Sequence, residues 1–232
     1  MYAGGSGKNG LMAFDCNDGS VRWTIASTGM NFGSAQPAIF DGEEMLMFSV
    51  PEAVLGVDPA DGAVLWRYAT KAGSTPPIVQ PQQFAEDGAI IPFGDDNGIA
   101  RIDVTRREDG TWSVDENWRT RNLKPWYSDF LIHDGAIFGF DKNIFTSLDL
   151  SNCSRHWKQG RFGFGQAILL EKNGQVIVTT EKGDVILLDV SPRGLQERGR
   201  FSALNGKSWN HPVVANGRLY VRGESELVCY EL

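Results

Sequence analysis

Ala13-Phe14-Asp15-Cys16-Asn17-Asp18-Gly19-Ser20-Val21-Arg22-Trp23 returns as Gly56-Val57-Asp58-Pro59-Ala60-Asp61-Gly62-Ala63-Val64-Leu65-Trp66, with Asp, Gly and Trp each displaced by 43 residues. A third copy runs from Ser147 through Asp149 to Trp157, with Cys153 where the glycine stood. A looser copy spans Asp103 to Trp118, with a longer turn around Glu108-Asp109-Gly110. A fifth, at Asp189, keeps Gly194 and lacks the tryptophan. The aspartates at 15, 58, 103, 149 and 189 set a period of 40 to 46 residues. A chain with such a period stacks copies of one supersecondary unit.

The unit can be read physically. A strand ends at Asp, whose carboxylate can accept N–H bonds from the following turn. The Gly four residues on supplies a positive φ that other residues resist. A second strand then carries a Trp suited to wedging one sheet against the next. Eight to 13 residues after each Trp comes a polar or proline step and a short apolar strand. These are Gln36–Ile39, Pro76–Val79, Ser128–Leu131, Gly165–Ile168 and His211–Val214. Turns of hairpin type follow at Asp41-Gly42, Asp134-Gly135, Asn173-Gly174 and Asn216-Gly217. Each period therefore holds four short strands, and no stretch carries a helical stripe. The expected architecture is all-β, a propeller of four-stranded antiparallel blades in one domain over residues 1–232. A partial blade occupies 1–30, full blades lie near 31–70, 71–121, 122–160 and 161–204, and a partial blade fills 205–232.

Composition agrees with many short strands and tight turns: 27 glycines, 13 Phe and 7 Trp in 232 residues. With 22 basic against 29 acidic residues the formal charge is −7, which argues against a nucleic-acid partner. No apolar run is long enough to be a transmembrane helix. Cys16, Cys153 and Cys229 form no CxxC pair and are read as single buried or half-buried thiols. The first residues lack the basic and apolar regions of a signal peptide.

The AxDxxxGxxxW pattern resembles the repeat of PQQ-binding-like β-propellers. That superfamily includes quinoprotein alcohol dehydrogenases and BamB-type outer-membrane barrel-assembly lipoproteins. The tail from Gly206 to Arg222 resembles the closing blade of bacterial PQQ-like repeat proteins. WD40 repeats fit poorly, since the Gly-His and Trp-Asp dipeptides are missing. The resemblance implies a ring of seven or eight blades, of which this chain supplies five to six. It also implies an extracytoplasmic or periplasmic location. The chain starts in mid-blade, with Met1–Ala3 and Leu11–Phe14 as inner-to-middle strands, and is expected to be an N-terminally incomplete ring.

Trp23, Trp66, Trp118 and Trp157 follow the repeat and are assigned to blade docking, not to stacking on a quinone. Asp15, Asp58, Asp103, Asp149 and Asp189 fall one per blade and are assigned to turn capping, with Gly19 and Gly62. Gly94-Asp95-Asp96-Asn97-Gly98 lacks calcium-loop spacing and reads as a solvated hairpin turn, and Glu43-Glu44 as an exposed turn. No metal site is assigned. The innermost strands of a propeller line its channel, so Gln36, Asp129, Gln166, Asn210 and His211 are expected at one channel mouth. This rim is the candidate contact for a protein partner or small ligand. The expected function is a non-catalytic binding or interaction scaffold of the bacterial envelope. One alternative is a PQQ-dependent alcohol or sugar dehydrogenase, which would use PQQ and Ca2+. The dehydrogenases also use a vicinal cysteine pair, absent here. The other is a structural remnant without activity.

Overall fold

A computed structural model describes residues 7–27, 32–70 and 78–232. The chain divides into two compact units, Met1–Arg121 and Asn122–Leu232, and the division coincides with an expected blade boundary. In the first unit, β1 (Gly7–Phe14) pairs with β2 (Val21–Ser27). A four-stranded meander follows in β3 (Gln36–Phe40), β4 (Glu43–Val50), β5 (Ala53–Val57) and β6 (Val64–Ala69). A second consists of β7 (Gln82–Gln83), β8 (Gly88–Pro92), β9 (Ile99–Arg106) and β10 (Trp112–Thr120). The second unit opens with β11 (Leu131–His133), β12 (Ala136–Asp141), β13 (Ile144–Asp149) and β14 (Arg155–Arg161). Next come β15 (Gln166–Leu170), β16 (Gln175–Thr179), β17 (Asp184–Ser191) and β18 (Gly194–Ser202). The last sheet has three strands, β19 (Val213–Ala215), β20 (Arg218–Arg222) and β21 (Leu227–Glu231). All pairings are antiparallel between sequence neighbours, which is the blade architecture of an all-β propeller. Among the described residues the one helical element is a single 3-10 turn, Asp95–Asn97.

The repeat motif has a steric logic beyond its turn. Trp23, Trp66 and Trp157 pair across the ladder with Ala13, Gly56 and Ser147, the small residue two before each Asp. A Cβ on Gly56 would lie 2.0 Å from the Trp66 indole nitrogen, so the ring lies flat across its neighbour strand. A register shift follows at once in all three sheets. Such a bulge bends the strand and turns the indole toward the next sheet. Trp23 donates its N–H to the Pro59 carbonyl at 2.9 Å, in the following sheet's motif turn. Trp157 donates to the Ser191 carbonyl at 2.7 Å, again one sheet on. Trp66 stays within its sheet, its N–H on the Met45 sulfur at 2.9 Å, while its ring joins the core shared with Ile91, Ile102 and Val104. Trp118 is half-buried. The core is thus a series of layers between successive sheets.

Three motif aspartates cap their turns. Asp15, Asp58 and Asp149 accept N–H bonds from Asn17, Ala60 and Ser151 at 2.7 to 2.8 Å. The glycine position is left-handed in all three, including Cys153 with φ 56°. Asp103 and Asp189 depart from the expected capping role. Strands β9 and β17 continue beyond them, so they sit in mid-ladder opposite Asp115 and Gln196. There Asp103 takes Arg101 and Asn117, and Asp189 takes Arg198 and Gln175.

Several boundaries also shift. The innermost strand of the third sheet, among the described residues, is Gln82–Gln83. Ile78 and Val79 carry no ladder bonds, and Pro76 and Pro77 lie outside the described residues, as do Met1–Ala3. Glu43 and Glu44 begin β4, because Asp41-Gly42 alone makes the turn, with φ 48° and 75°. Gly94–Gly98 closes through the 3-10 turn. Cys16 and Cys229 are exposed, and only Cys153 is half-buried.

Candidate functional site

In each sheet of the second unit the innermost strand starts at the same end as the turn joining the second and third strands. Leu131 pairs with Phe138, Gln166 with Thr179, and Val213 with Tyr220. The approach segments to β11, β15 and β19 therefore meet at one rim. Asp129, Gln166, Asn210 and His211 all belong to it. His211 Nε2 lies 3.1 Å from Asp129 Oδ2, and both side chains reach solvent. Asn210 is exposed beside them. Gln166 is 4% exposed and spends its amide on the backbone. Its Oε1 accepts the Asp129 N–H at 3.1 Å, and its Nε2 donates to the carbonyls of Tyr127 at 2.7 Å and Trp209 at 3.3 Å. It braces three sheets and presents no group outward. Gln36 belongs to the first unit, where its amide donates to the Ala35 carbonyl at 3.2 Å.

Gln83 does comparable work in the first unit. Its Oε1 accepts the Ile39 N–H at 2.9 Å and its Nε2 donates to the Ile39 carbonyl. A primary amide reproduces the donor–acceptor pair of a peptide group, so it can complete a strand edge.

The rim carries an aromatic cluster that the sequence reading did not single out. Tyr127 packs on Trp209 at 5.2 Å and on Phe164 at 5.5 Å, and Trp126 on Phe164 at 5.8 Å. Trp126 holds φ 55°, a conformation that costs a bulky residue strain, and Trp209 is 47% exposed. Lys207 Nζ sits 3.6 Å from the Trp209 ring centre, and Lys142 Nζ 5.8 Å from that of Trp126. Glu181 ties these parts together, accepting from the Trp209 indole at 3.1 Å and the Phe164 N–H at 3.4 Å. Tyr127, Phe164 and Asn210 occupy equivalent places one residue before the aligned inner-strand entries. That recurrence, with Trp126 and Trp209 one step earlier, was the available signal.

A second acid recurs in the rim turns. Asp141 has a side chain 1% exposed, with Lys124 Nζ at 2.5 Å from Oδ1 and Lys158 in contact with Oδ2. Burial opposes its charge, but the two lysines overcome it and hold the carboxyl below the ordinary range. Glu226, in the last sheet, accepts the Asn205 N–H. Asp141, Glu181 and Glu226 thus anchor approach segments to their turns.

Two other arrangements invite a chemical reading. Ser147 Oγ is 3.2 Å from His156 Nδ1, and His156 Nε2 is 3.6 Å from Asp149 Oδ2. Ser147 is fully buried in β13, so this chain of groups ties β13 to β14 and offers no nucleophile. The rim residues also fail to fit a quinone. Lys207 covers the Trp209 ring where a planar group would stack, and the Asp129 carboxylate is engaged by His211. Among the described residues no group of three or more His, Cys, Asp or Glu is disposed to hold a metal.

Successive four-stranded sheets wedged by motif tryptophans define a β-propeller of PQQ-like repeats. The family model described as outer membrane protein assembly factor BamB matches residues 2–159, and the chain belongs to that family. Among solved structures, a functionally unknown protein from Desulfotomaculum acetoxidans is similar at 12% identity and TM-score 0.58. The match covers 95% of this chain and 74% of that one. The dihydro-heme d1 dehydrogenase NirN, in complex with DHE, is similar at 9% identity and TM-score 0.57, over 95% of this chain and 49% of that one. BamB from Moraxella catarrhalis shares 16% identity over 94% of this chain and 74% of its own, at TM-score 0.49. No curated protein sequence matches the chain. At these identities the likeness to solved structures concerns the fold alone.

Proposed function

We propose that this protein is a non-catalytic binding module of the bacterial cell envelope, a BamB-like scaffold that engages a protein partner through the rim of its second unit. The observation that carries the reading is the half-exposed cluster of Trp126, Tyr127, Phe164 and Trp209, bordered by Asp129, Asn210 and His211. Exposed aromatic side chains within a polar border are the composition of interaction hot spots. Gln166 and Glu181 act as positioning residues that hold the segments in place. Family membership supports an assembly role and a periplasmic location.

The test is a photoreactive amino acid installed at Trp209, in the full-length protein and its native host, with a control at Asp109 in the exposed β9–β10 hairpin. A discrete cross-linked envelope protein from position 209 and none from 109 is the expected result. Fractionation of the protein with the cytosol, or equal labelling from both positions, overturns the reading. So does saturable dye reduction on addition of PQQ and Ca2+.

A further inference from the structure

The last sheet differs from the others along its outer side. Its third strand, β21, stands in the repeat where β5 and β13 stand. Glu231 takes the place of the motif aspartate, and Cys229 lies two residues before it, as Gly56 and Ser147 lie before theirs. β5 and β13 each carry a further strand on that side, β6 and β14. β5 is buried throughout, and β13 is buried over Phe145–Leu148. Among the described residues no strand pairs with the outer side of β21, and each of its residues is exposed or half-buried. Leu227 is 68% exposed, and Cys229 is exposed. This side also presents backbone groups. Glu226 and Leu232 bond toward β20, through Gly223 and Gly217. The alternation along an antiparallel strand therefore turns the N–H and C=O of Leu227, Cys229 and Glu231 outward. Edges that stay single are commonly guarded by proline, lysine or a bulge. Leu227–Glu231 has neither proline nor lysine, and its register with β20 is unbroken.

We infer that two copies of this chain join through β21, strand to strand about a two-fold axis at Cys229. The strands that carry the motif tryptophans, β2, β6, β10 and β14, are all paired within their own sheets, so none of them is available to cover β21. A second β21 is the complement that the edge itself provides. Antiparallel pairing about Cys229 sets this residue opposite Cys229 of the second copy, and Leu227 opposite Glu231 of the second copy. Every outward donor then meets an outward acceptor. A register two residues along leaves Leu227 or Glu231 unpaired, and one centred on Glu231 sets two carboxylates against each other. On the core side Val228 meets Tyr230 of the second copy, a β-branched residue against an aromatic ring in a closely spaced pair. Val228 and Tyr230 already border the core of Leu219 and Val221, which the pairing extends across the axis. A two-fold contact closes on itself, so both edges vanish in one interface. The rim cluster takes no part in this pairing, and the two readings stand or fall separately.

The test is analytical ultracentrifugation of the full chain at micromolar concentration, joined to cysteine cross-linking at the axis. A species of twice the chain mass of 25.6 kDa is expected. Cys229→Lys places like charges on the axis from an exposed position, and should weaken the dimer by roughly tenfold or more with the circular dichroism spectrum unchanged. Val213→Lys, on the same exposed face but at the far side of the sheet, should leave the dimer unaltered. In a Cys16→Ser, Cys153→Gly background, oxidation with copper phenanthroline should join two chains through Cys229. Moving the thiol along the strand, by Leu227→Cys with Cys229→Ser in that background, sets the two sulfurs apart and should lower the yield severalfold. A monomer at every concentration overturns the inference. So does a Val213→Lys variant that dissociates as readily as Cys229→Lys, or equal cross-linking from positions 227 and 229.

Discussion

Replacing Asp141 by asparagine keeps the side-chain shape and deletes one charge where two lysines converge. The carboxylate is 1% exposed, whereas Lys124 and Lys158 are 19% and 32% exposed. Removing one member of a buried ion pair costs about 3–5 kcal/mol when the remaining charge is trapped. Both lysines can swing their ammonium groups toward water, so the expected loss is roughly 2–3 kcal/mol. With a urea slope of about 1–3 kcal/mol per molar, the unfolding midpoint should fall by about 1 M. Acid provides the check on mechanism. The folded-state pKa of Asp141 lies below its unfolded value, so its contribution is complete above the unfolded carboxylate pKa of about 3.9. It is lost as the pH falls through the lower folded value. The gap between parent and variant in urea unfolding, followed by tryptophan fluorescence, should therefore be constant from pH 7 to about 5 and narrow below 4. A gap under about 0.5 kcal/mol at pH 7, or one undiminished at pH 3, refutes the assignment of Asp141 as the ionised anchor of the approach segment.

Trp157→Ala should destabilise the second unit by about 3–5 kcal/mol, and Trp157→Phe by less, since the smaller ring still fills the site and forfeits the bond to the Ser191 carbonyl. A loss below about 1 kcal/mol for the alanine variant in denaturant unfolding would show that the indole is not a wedge. Gly98 and Gly110 share a φ near 84°, but a Cβ at Gly98 would lie 1.9 Å from the Thr120 carbonyl oxygen while nothing lies within 4 Å at Gly110. Alanine should cost about 1–2 kcal/mol at 110 and clearly more at 98, and equal melting-temperature losses would contradict the packing. Burial, with Glu116 beside it, pushes the Tyr68 hydroxyl up to about 12, so an ultraviolet titration compared with that of Tyr68→Phe should show a phenol that ionises well above the ordinary value of about 10. Its stabilisation is present below the unfolded pKa of about 10 and is lost as pH rises toward 12.

The repeat was legible because its constraints are local. A left-handed glycine, an aspartate reaching two residues on and a turn such as Asp134-Gly135 announce themselves within four residues. The same locality explains the misplacements. Asp103 and Asp189 match the motif in type, and only the length of β9 and β17 shows that they lie in mid-strand. At the rim, Asp129 and His211 were reachable by alignment of the repeats. The role of Gln166 was not, since a glutamine that faces water and one that binds backbone read alike in sequence. Trp126, Tyr127, Phe164 and Trp209 lie at 126–127, 164 and 209 and meet through long-range packing, which periodicity reports weakly.

The amides of Gln83 and Gln166 grip main-chain atoms of a preceding sheet, and main-chain atoms are common to every residue. A latch of this kind places no demand on the neighbour's side chains. A copied or transplanted unit brings its own fastening and can seat beside a divergent predecessor, which gives such arrays a physical route to gain or lose units while their sequences drift apart.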